Sequence, residues 1–408
     1  MKNLVLVFII ICCWSCNNDD NQFETVVVAI PQTITKTALR SSVEIQSPKP
    51  ILNVGKVYAY QEFIFINEKF KGVHVLDNSN PTAPQQVSFI YIPGNEDISI
   101  KNDYLYADSA IDLVVFDIAN ISSITEVGRL EDVFEIYDYQ IPEGADFLDY
   151  GEFASDTDVI VGWDLIEERR EVYQGDDVFT FDGAEAGNTN TIGVGGSLAR
   201  FQIVSDYLYT VGESQMNTFD ISNLLQPNLV STTYAGWRIE TMFHADGYLY
   251  LGGDNGMFIH SLENPESPEF ISEFTHWEGC DPVVVDGNYA YLTLRGGNFC
   301  GQDQSVLEVI DVTDKSQPQL IGQYELDNPY GLGFKGNHLF VCDGTSGLKV
   351  FDKTDPSDVQ LLHAFNDVQA TDVIPLNDKL LMISDNALYQ YEYVGENTIT
   401  LLSTYILN

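Results

Sequence analysis

The chain repeats one short pattern seven times, and this repeat constrains the fold more than any other feature of the sequence. In each clear copy an apolar strand ends in Asp, with Asn or Asp three residues later and, in several copies, Pro seven residues later. The strand-end residues, called anchors below, are Asp77, Asp117, Asp220, Ser261, Asp311, Asp352 and Glu392. Successive anchors are 40, 103, 41, 50, 41 and 40 residues apart. A period near 40 residues that is made of strands is typical of a propeller or a solenoid.

Each repeat contains the signals of four short strands. A strand with large residues at alternate positions, such as Tyr207-Leu208-Tyr209, lies upstream of most anchors. A two-residue turn of Asn, Asp, Ser or Gly precedes that strand, and residues of this kind tolerate the positive φ of tight hairpins. The anchor Asp is expected to cap the next turn by accepting backbone N–H groups rather than to take part in catalysis. Four strands per repeat predict an all-β, seven-bladed β-propeller over residues 51–408.

The single step of 103 residues leaves an additional segment, residues 131–196, that has no clear anchor. A degraded eighth blade is one interpretation, so an eight-bladed propeller stays open. The acidic and Gly-rich composition of the segment favours a long insertion between blades two and three. One hairpin is expected near Val159–Trp163. Long loops of this kind are uncommon unless they serve a function.

The repeat resembles the LVIVD-repeat family of bacterial and archaeal surface β-propellers. Phe219-Asp220-Ile221-Ser222-Asn223 and Val115-Phe116-Asp117-Ile118 carry the resemblance most closely. It extends from Lys56 to the C-terminus and implies a propeller that is exported to the cell envelope. It implies no defined reaction and supplies no catalytic motif.

Residues 1–16 have the composition of an export signal, with Lys2 followed by an apolar run that is too short to span a bilayer. Cys13-Trp14-Ser15-Cys16 resembles a lipobox, which predicts a lipid anchor on Cys16. A secretory signal cleaved elsewhere is the alternative. The acidic residues that follow resemble the signal that sends some lipoproteins to the outer surface. We therefore expect a surface-exposed outer-membrane lipoprotein in which residues 17–50 form a polar tether.

The net charge limits the kind of partner that the protein can bind, and the cysteines indicate a possible disulfide. The formal net charge of −42 has no compensating basic patch, so nucleic acid is excluded as an expected partner. In an oxidising envelope we expect a disulfide between Cys280 and Cys300. Cys342 is expected to be a buried small hydrophobic residue.

The connections between blades and the loops between second and third strands share one face of a propeller. Aromatic and polar residues gather there, as a sugar or peptide site requires. The candidate ligand-binding residues are Trp237, Arg238, His276, Trp277, Arg295 and Tyr330. The alternative is that these rings only pack the insertion onto the propeller.

The mouth of the central channel is the second candidate site. Alignment of the first strands places one set of residues at an equivalent position, and these are Glu96, Glu240, Asp281 and Tyr330. Asp97, Arg200 and Asp372 come one residue later. The carboxylates Glu96, Glu240 and Asp281 could hold a divalent cation such as calcium through oxygen ligands. Solvated, mutually repelling side chains are the alternative, and otherwise no cofactor is expected.

These features favour a non-catalytic binding or scaffolding module of the cell envelope. It would be held at the membrane by a lipid anchor and would bind a glycan, a peptide or an envelope protein on the insertion-bearing face. The alternative is a propeller hydrolase or lyase that uses Asp281 and Glu240, with or without a metal. The fold alone does not distinguish these classes.

Overall fold

A computed structural model of the protein describes residues 23–135, 142, 144–151, 153–171, 194–253, 255–275, 282–296, 304–394 and 398–408. Regular structure in these residues is almost entirely β-strand, which confirms the all-β prediction. None of the described residues belongs to a helix whose length and hydropathy would let it cross a bilayer. The first elements of the chain are β1 (Phe23–Thr35), α1 (Lys36–Ser41) and β2 (Glu44–Gln46).

Seven sheets in the described chain each contain four consecutive antiparallel strands, and we call them blades 1 to 7. Blades 1 and 2 consist of β3 (Val54–Tyr60), β4 (Phe63–Glu68), β5 (Gly72–Asp77), β6 (Gln85–Tyr91), β7 (Ile98–Lys101), β8 (Tyr104–Ser109), β9 (Asp112–Asp117) and β10 (Thr125–Leu130), with a 3₁₀ turn at Ile121–Ser123. Between blades 2 and 3 lie β11 (Phe147–Leu148), β12 (Asp158–Glu171) and β13 (Val194–Gly195).

Blades 3 to 7 continue the same pattern to the end of the chain. Their strands are β14 (Phe201–Val204), β15 (Tyr207–Val211), β16 (Gln215–Asp220), β17 (Asn228–Tyr234), β18 (Ile239–Ala245), β19 (Tyr248–Gly253), β20 (Gly256–Ser261), β21 (Glu269–Thr275), β22 (Val283–Asp286), β23 (Tyr289–Leu294), β24 (Val306–Asp311), β25 (Gln319–Glu325), β26 (Leu332–Lys335), β27 (His338–Cys342), β28 (Leu348–Asp352), β29 (Gln360–Phe365), β30 (Asp372–Pro375), β31 (Lys379–Ile383), β32 (Ala387–Val394) and β33 (Thr398–Ile406). The anchors lie at or near the end of the third strand of each blade.

The turn residues have the roles that the sequence predicts. In the hairpin between β7 and β8, Asn102 and Asp103 have φ values of 48° and 67°. The Asp220 carboxylate accepts the backbone N–H of Ser222 at 2.8 Å, and the other Asp anchors make the same contact two residues on. These hydrogen bonds confirm that the anchor Asp caps a turn, and the capping lowers the pKa of the Asp220 carboxyl.

Apolar clusters between neighbouring blades form the core, and together they run around the whole ring. The second Tyr of the Tyr-x-Tyr strand is fully buried in these interfaces. Tyr106 donates its hydroxyl hydrogen to the carbonyl of Leu224 at 3.0 Å, and Tyr209 donates to the carbonyl of Pro265 at 2.7 Å. The repeated Tyr therefore links each of these blades to the anchor turn of the next blade.

Blades 7 and 1 close the ring without exchanging a strand, because each is built from its own consecutive strands. The buried amides of Asn78 and Gln390 donate to each other at 3.0 Å and 2.7 Å. Gln390 and Ser403 also donate to the carbonyl of Pro81, at 3.1 Å and 2.6 Å. Side-chain hydrogen bonds and the shared apolar cluster thus hold the ring together at this point.

A separate three-stranded sheet is built from both the N-terminal segment and the insertion. Strand β1 pairs antiparallel with β12 along its length and parallel with β11. Residues 23–46, which fall within the predicted tether, therefore contain two strands and a helix, and β2 extends the outer edge of blade 1 by pairing with β6. Val159–Trp163 pairs with β1 and not within a local hairpin.

Helix α1 attaches this sheet to the propeller. Leu39 is fully buried against Ala110 and Ile111 of blade 2 and against Val159 and Val161 of β12. The guanidinium of Arg40 donates to the Asp112 carboxylate at 2.9 Å and 3.0 Å. The insertion is thus seated on the loop that joins the second and third strands of blade 2.

Candidate functional site at the channel mouth

The first strands of successive blades neighbour one another around the central channel. The loops between second and third strands, the connections between blades and the insertion all open on one end of this channel. We call that end the insertion-bearing face. The tight hairpins and the anchor turns lie on the opposite face.

Residues 195–199, at the end of the insertion, lie across the channel mouth, and we call them the plug. All five are buried. Strand β13 pairs with β3, so that Gly195 lies opposite Tyr58. A Cβ atom at Gly195 would overlap the Tyr58 ring, and one at Gly196 would overlap the Asp372 carboxylate. The two glycines are therefore required for the close approach of the plug to the inner strands.

Two carboxylates from equivalent places in blades 2 and 7 hold the plug and the residues that follow it. Asp97 accepts the backbone N–H groups of Arg200 and Phe201 at 2.6 Å and 2.9 Å. Asp372 accepts the backbone N–H and the hydroxyl of Ser197 at 3.1 Å and 3.2 Å. Each carboxylate also accepts the N–H of the residue after it in sequence. The aspartates that the alignment placed together thus act as a pair of clamps.

Further hydrogen bonds join the plug to other blades. The backbone N–H of Leu332 in blade 6 donates to the Ser197 hydroxyl at 2.6 Å. The backbone N–H of Met242 in blade 4 donates to the carbonyl of Ala199 at 2.8 Å. With β3 in blade 1 and Asp372 in blade 7, these contacts tie the plug to four blades, and Asp97 of blade 2 holds the two residues that follow it. The plug therefore belongs to the structure of the ring.

Burial shifts the titration of the groups around the plug. It raises the pKa of Asp372 to about 7, and the nearby Lys56 ammonium opposes that rise. Burial also lowers the pKa of Lys56 and raises that of Tyr58, whose hydroxyl donates to Asp97. A carboxyl with a pKa near neutrality can act in acid–base chemistry. In this case the same carboxyl is occupied in holding Ser197.

The candidate metal ligands are in different surroundings. The Glu96 carboxylate accepts a hydrogen bond from the Arg200 guanidinium at 2.8 Å, which neutralises its charge. The Glu240 side chain is buried in the first strand of blade 4, and Asp281 lies outside the described residues. Among the residues that the structure describes, no three Asp, Glu, His or Cys side chains gather in a metal-binding arrangement. The calcium site stays a prediction.

Trp237 and Arg238 lie in the connection between blades 3 and 4. The Trp237 side chain is 52% exposed, and the Arg238 guanidinium lies 5.7 Å from the centre of its indole ring. Arg238 has a φ of 49°, a left-handed conformation that is uncommon for a residue with a long side chain. An exposed aromatic ring held beside a cation can stack on a sugar or a peptide group.

Arg295 and Tyr330 form a second cation–aromatic pair on the same face. The Arg295 guanidinium lies 4.3 Å from the centre of the Tyr330 ring, and Arg295 is largely buried. The Thr293 hydroxyl donates to the Tyr330 carbonyl at 2.6 Å, which fixes the loop that carries the ring. His276 and Trp277, the other candidate ligand residues, lie outside the described residues.

The cysteine predictions have different outcomes. Cys342 is a free thiol and is fully buried, as expected for a small hydrophobic residue. Cys280 and Cys300 lie outside the described residues, as does Cys16, so the disulfide and the lipid anchor stay predictions.

The plug is the feature of this face that sequence reasoning missed. Its signal is the run Gly193-Val194-Gly195-Gly196, which lies at the end of the predicted insertion. Consecutive glycines at the end of a long loop indicate a close approach of backbone to another part of the protein. The partner in that approach, Asp372, is far away in the sequence and could not be identified from the run itself.

Solved structures of similar shape define the class of protein. A computationally designed protein, Ika8, has 10% sequence identity, a TM-score of 0.52 and coverage of 88% of this chain and 89% of its own. BamB from Moraxella catarrhalis has 9% identity, a TM-score of 0.50 and coverage of 91% and 99%. A protein from Lactobacillus plantarum has 12% identity, a TM-score of 0.50 and coverage of 80% and 86%. At these identities the likeness shows the fold alone, and the protein is a β-propeller.

Within that class the repeat itself is identified. The family model described as "LVIVD repeat" matches residues 95–132 and 280–325, so this propeller contains LVIVD repeats. The two matched ranges include the anchors Asp117 and Asp311. Among curated proteins, none matches the chain.

Proposed function

We propose that the protein is a non-catalytic binding or scaffolding module of the cell envelope, anchored to the outer membrane through a lipid on Cys16. In this proposal it recognises a glycan, a peptide or an envelope protein on the insertion-bearing face. Nucleic acid is not among the proposed partners, because a net charge of −42 repels phosphate backbones.

The exposed Trp237 beside Arg238 is the observation that carries the proposal. A large aromatic ring that stays half exposed contributes little to the core and is available to a ligand. The carboxylates near the plug are occupied by contrast: Asp97 and Asp372 accept backbone N–H groups, and Glu96 is paired with Arg200. This arrangement favours recognition over catalysis.

Binding is tested with arrays of glycans and peptides and with envelope proteins, probed by the purified protein. Trp237→Ala should weaken binding of any ligand found by about 2 kcal/mol, as expected for an aromatic hot spot. Leu361→Ala is the control, because Leu361 is similarly exposed on the outer strand of blade 6. Equal binding by the wild type and Trp237→Ala would exclude this site.

The proposed location is tested separately. Cys16→Ala should release the protein from the membrane fraction, and protease treatment of intact cells should digest the anchored wild type. Retention of the variant in membranes would contradict the lipid anchor, and resistance to protease on intact cells would contradict the outward orientation.

A further inference from the structure

We propose that the ligand of the Trp237 site is a neutral carbohydrate, and that Arg238 and Glu213 bind its hydroxyl groups. The inference rests on the proposed function, which allows a glycan, a peptide or an envelope protein at this site. It adds the chemical class of the ligand and the two residues that select it.

The turn that carries Trp237 is held by hydrogen bonds from two blades. The N–H of Ala235 donates to the carbonyl of Ser214 in blade 3 at 2.9 Å. The ring of His260 in blade 4, which is fully buried, donates from Nε2 to the carbonyl of Ala235 at 2.7 Å. The backbone that carries the indole ring is therefore ordered before a ligand binds, which reduces the conformational entropy lost on binding.

Trp237 lies between two residues with positive φ. Gly236 has a φ of 152°, and a Cβ atom there would lie 2.6 Å from Cδ1 of Ile239 and 2.9 Å from the Phe258 ring. Arg238 has a side chain and still adopts a left-handed conformation. Backbone strain of this kind is concentrated at sites of function, because the surrounding structure must be built to maintain it. The strained turn thus marks the exposed indole ring as a feature that the fold presents.

A charged pair, and not other apolar side chains, flanks the indole ring. The Arg238 guanidinium lies beside the ring, and its Nε atom lies 4.0 Å from Oε1 of Glu213. The two charged side chains are 26% and 40% exposed, so a ligand on the ring can reach both. Residues 212–214 and 235–238, all of which the structure describes, expose no apolar side chain other than that of Trp237.

A carbohydrate matches this combination of groups. One face of a sugar ring carries C–H groups that stack on an aromatic ring, and its edge carries hydroxyls that both donate and accept hydrogen bonds. A guanidinium donates and a carboxylate accepts, so Arg238 and Glu213 can bind neighbouring hydroxyls of one sugar. A protein partner would instead need a wider apolar centre, which these two loops do not offer.

The charge of the protein restricts the carbohydrate to one without acidic groups. The formal net charge of the chain is −42, and the positive charge of Arg238 is balanced by Glu213 beside it. An acidic sugar would be repelled by the protein as a whole and would find no excess positive charge at the site. A neutral sugar meets no such repulsion.

The test is an array of three kinds of ligand, probed with the purified protein. It carries neutral oligosaccharides of hexoses and N-acetylhexosamines, acidic oligosaccharides that contain uronic acids, and peptides. We expect binding to neutral oligosaccharides, with a loss of affinity of about 30-fold in Trp237→Ala. Glu213→Gln should lose about tenfold, because a charge-assisted hydrogen bond becomes a neutral one. Leu225→Ala is the matched control and should bind as the wild type does, since Leu225 is 42% exposed on the opposite face of blade 3.

The outcomes separate this inference from the proposed function. Binding that depends on Trp237 but is confined to peptides or to acidic oligosaccharides overturns the inference and leaves the proposed function standing. If no ligand on the array depends on Trp237, both are overturned. If Glu213→Gln binds neutral oligosaccharides as tightly as the wild type, the role of the charged pair is wrong. Loss of neutral-oligosaccharide binding in both site variants, with Leu225→Ala unaffected, supports the inference.

Discussion

At the scale of single residues, the polar residues of the repeat make structural hydrogen bonds rather than form a catalytic site. The anchor Asp caps a turn within its own blade, and the buried Tyr reaches the anchor turn of the following blade. The Asp and the Tyr recur because every blade has equivalent backbone N–H and C=O groups in its turns, and these need hydrogen-bond partners. A polar residue that recurs in every blade of a propeller is therefore better explained by a structural contact than by catalysis.

The hydroxyl of Tyr209 gives a direct measure of one such contact. Tyr209→Phe should lower the free energy of unfolding by about 1 kcal/mol, because the Pro265 carbonyl loses its donor in a buried interface. Tyr250→Phe is the matched control, since the hydroxyl of Tyr250 has no hydrogen-bond partner in the described chain. Urea denaturation measures both variants. If both variants lose the same free energy of unfolding, the hydrogen bond of Tyr209 does not contribute to stability as proposed.

Asp372 should make stability depend on pH. Its pKa is raised from 3.8 to about 7, so the folded protein holds a proton that the unfolded chain releases. Its contribution to stability is present below pH 4 and is lost as the pH rises to about 7, at roughly 1.4 kcal/mol per pH unit. Asp372→Asn should remove this loss, so its stability relative to wild type rises over that range.

Ser197→Ala separates titration from the hydrogen bond itself. This variant removes a donor to Asp372 but keeps the carboxyl, so it should be less stable and should keep the pH dependence. Lys56, Tyr58 and Cys342 also interact electrostatically with Asp372 and are unchanged in both variants. Thermal melts between pH 4 and pH 8 measure the effect. A flat difference between Asp372→Asn and wild type would contradict the assignment.

At the scale of elements, the outer strands and the plug show how the edges of a blade are finished. The outer strand of every blade has a β-bulge opposite its third strand. Bulges twist an exposed edge and so hinder pairing with another strand, and in blade 1 β2 pairs with β6 only beyond its bulge. At the inner edge of blade 1, β13 pairs with the first strand instead.

The plug should tolerate almost no side chain. Gly196→Ala is expected to cost more than about 2 kcal/mol, because its Cβ would overlap the buried Asp372 carboxylate. Gly212→Ala is the control, since the nearest atom to a Cβ there is 3.9 Å away. Neither glycine has a positive φ, so the comparison measures the steric overlap of the added Cβ without a contribution from backbone strain. Similar midpoints in urea denaturation would contradict this account of the plug.

The sequence predicted the parts of the fold that depend on local patterns. The hairpin turn at Asn102-Asp103 and the capping role of Asp220 follow from residues within one repeat, and the structure confirms both. The pairing of β1 with β12 joins residues more than a hundred positions apart, and neither strand has a repeat to mark it. Contacts of that kind depend on the packed ring and leave no local pattern.

The candidate site shows the same division. Alignment of the repeats grouped Asp97 with Asp372, and both carboxylates bind the same segment of chain. That segment was not recognised, so their role as clamps was not predicted. The pairing of Glu96 with Arg200 was also missed, because the alignment showed where these residues lie but not which way they turn.

At the scale of the whole molecule, the ring is closed by a few polar contacts and a shared apolar cluster. Asn78 and Gln390 are more than three hundred residues apart in sequence, yet each amide donates to the other. Two buried amides that donate to each other leave few polar atoms without a hydrogen bond. Loss of either side chain leaves the polar atoms of the other buried and without that partner. Closure is therefore expected to be sensitive to single substitutions at this pair.

A double-mutant cycle on this pair tests the closure. Asn78→Ala and Gln390→Ala should be strongly coupled, with an interaction free energy of about 1 kcal/mol or more, because the residues contact directly. Asn78→Ala combined with Tyr209→Phe should be additive, since Tyr209 belongs to blade 3. Chemical denaturation measures all six proteins including the wild type. Additivity of the first pair would mean that the two amides do not stabilise the closure together.

Each blade is complete in itself, and this has a consequence for the order of the chain. The N–H of Ile51 donates to the carbonyl of Leu407 at 2.9 Å, so the two limits of the propeller are bonded neighbours. None of the seven four-stranded blades would be divided if these limits were joined and the chain were opened instead in the connection between blades 3 and 4, although β1 and β2, which precede Ile51, would be separated from it. The propeller is in this sense a ring whose chain could begin in another connection between blades, as in a circular permutation.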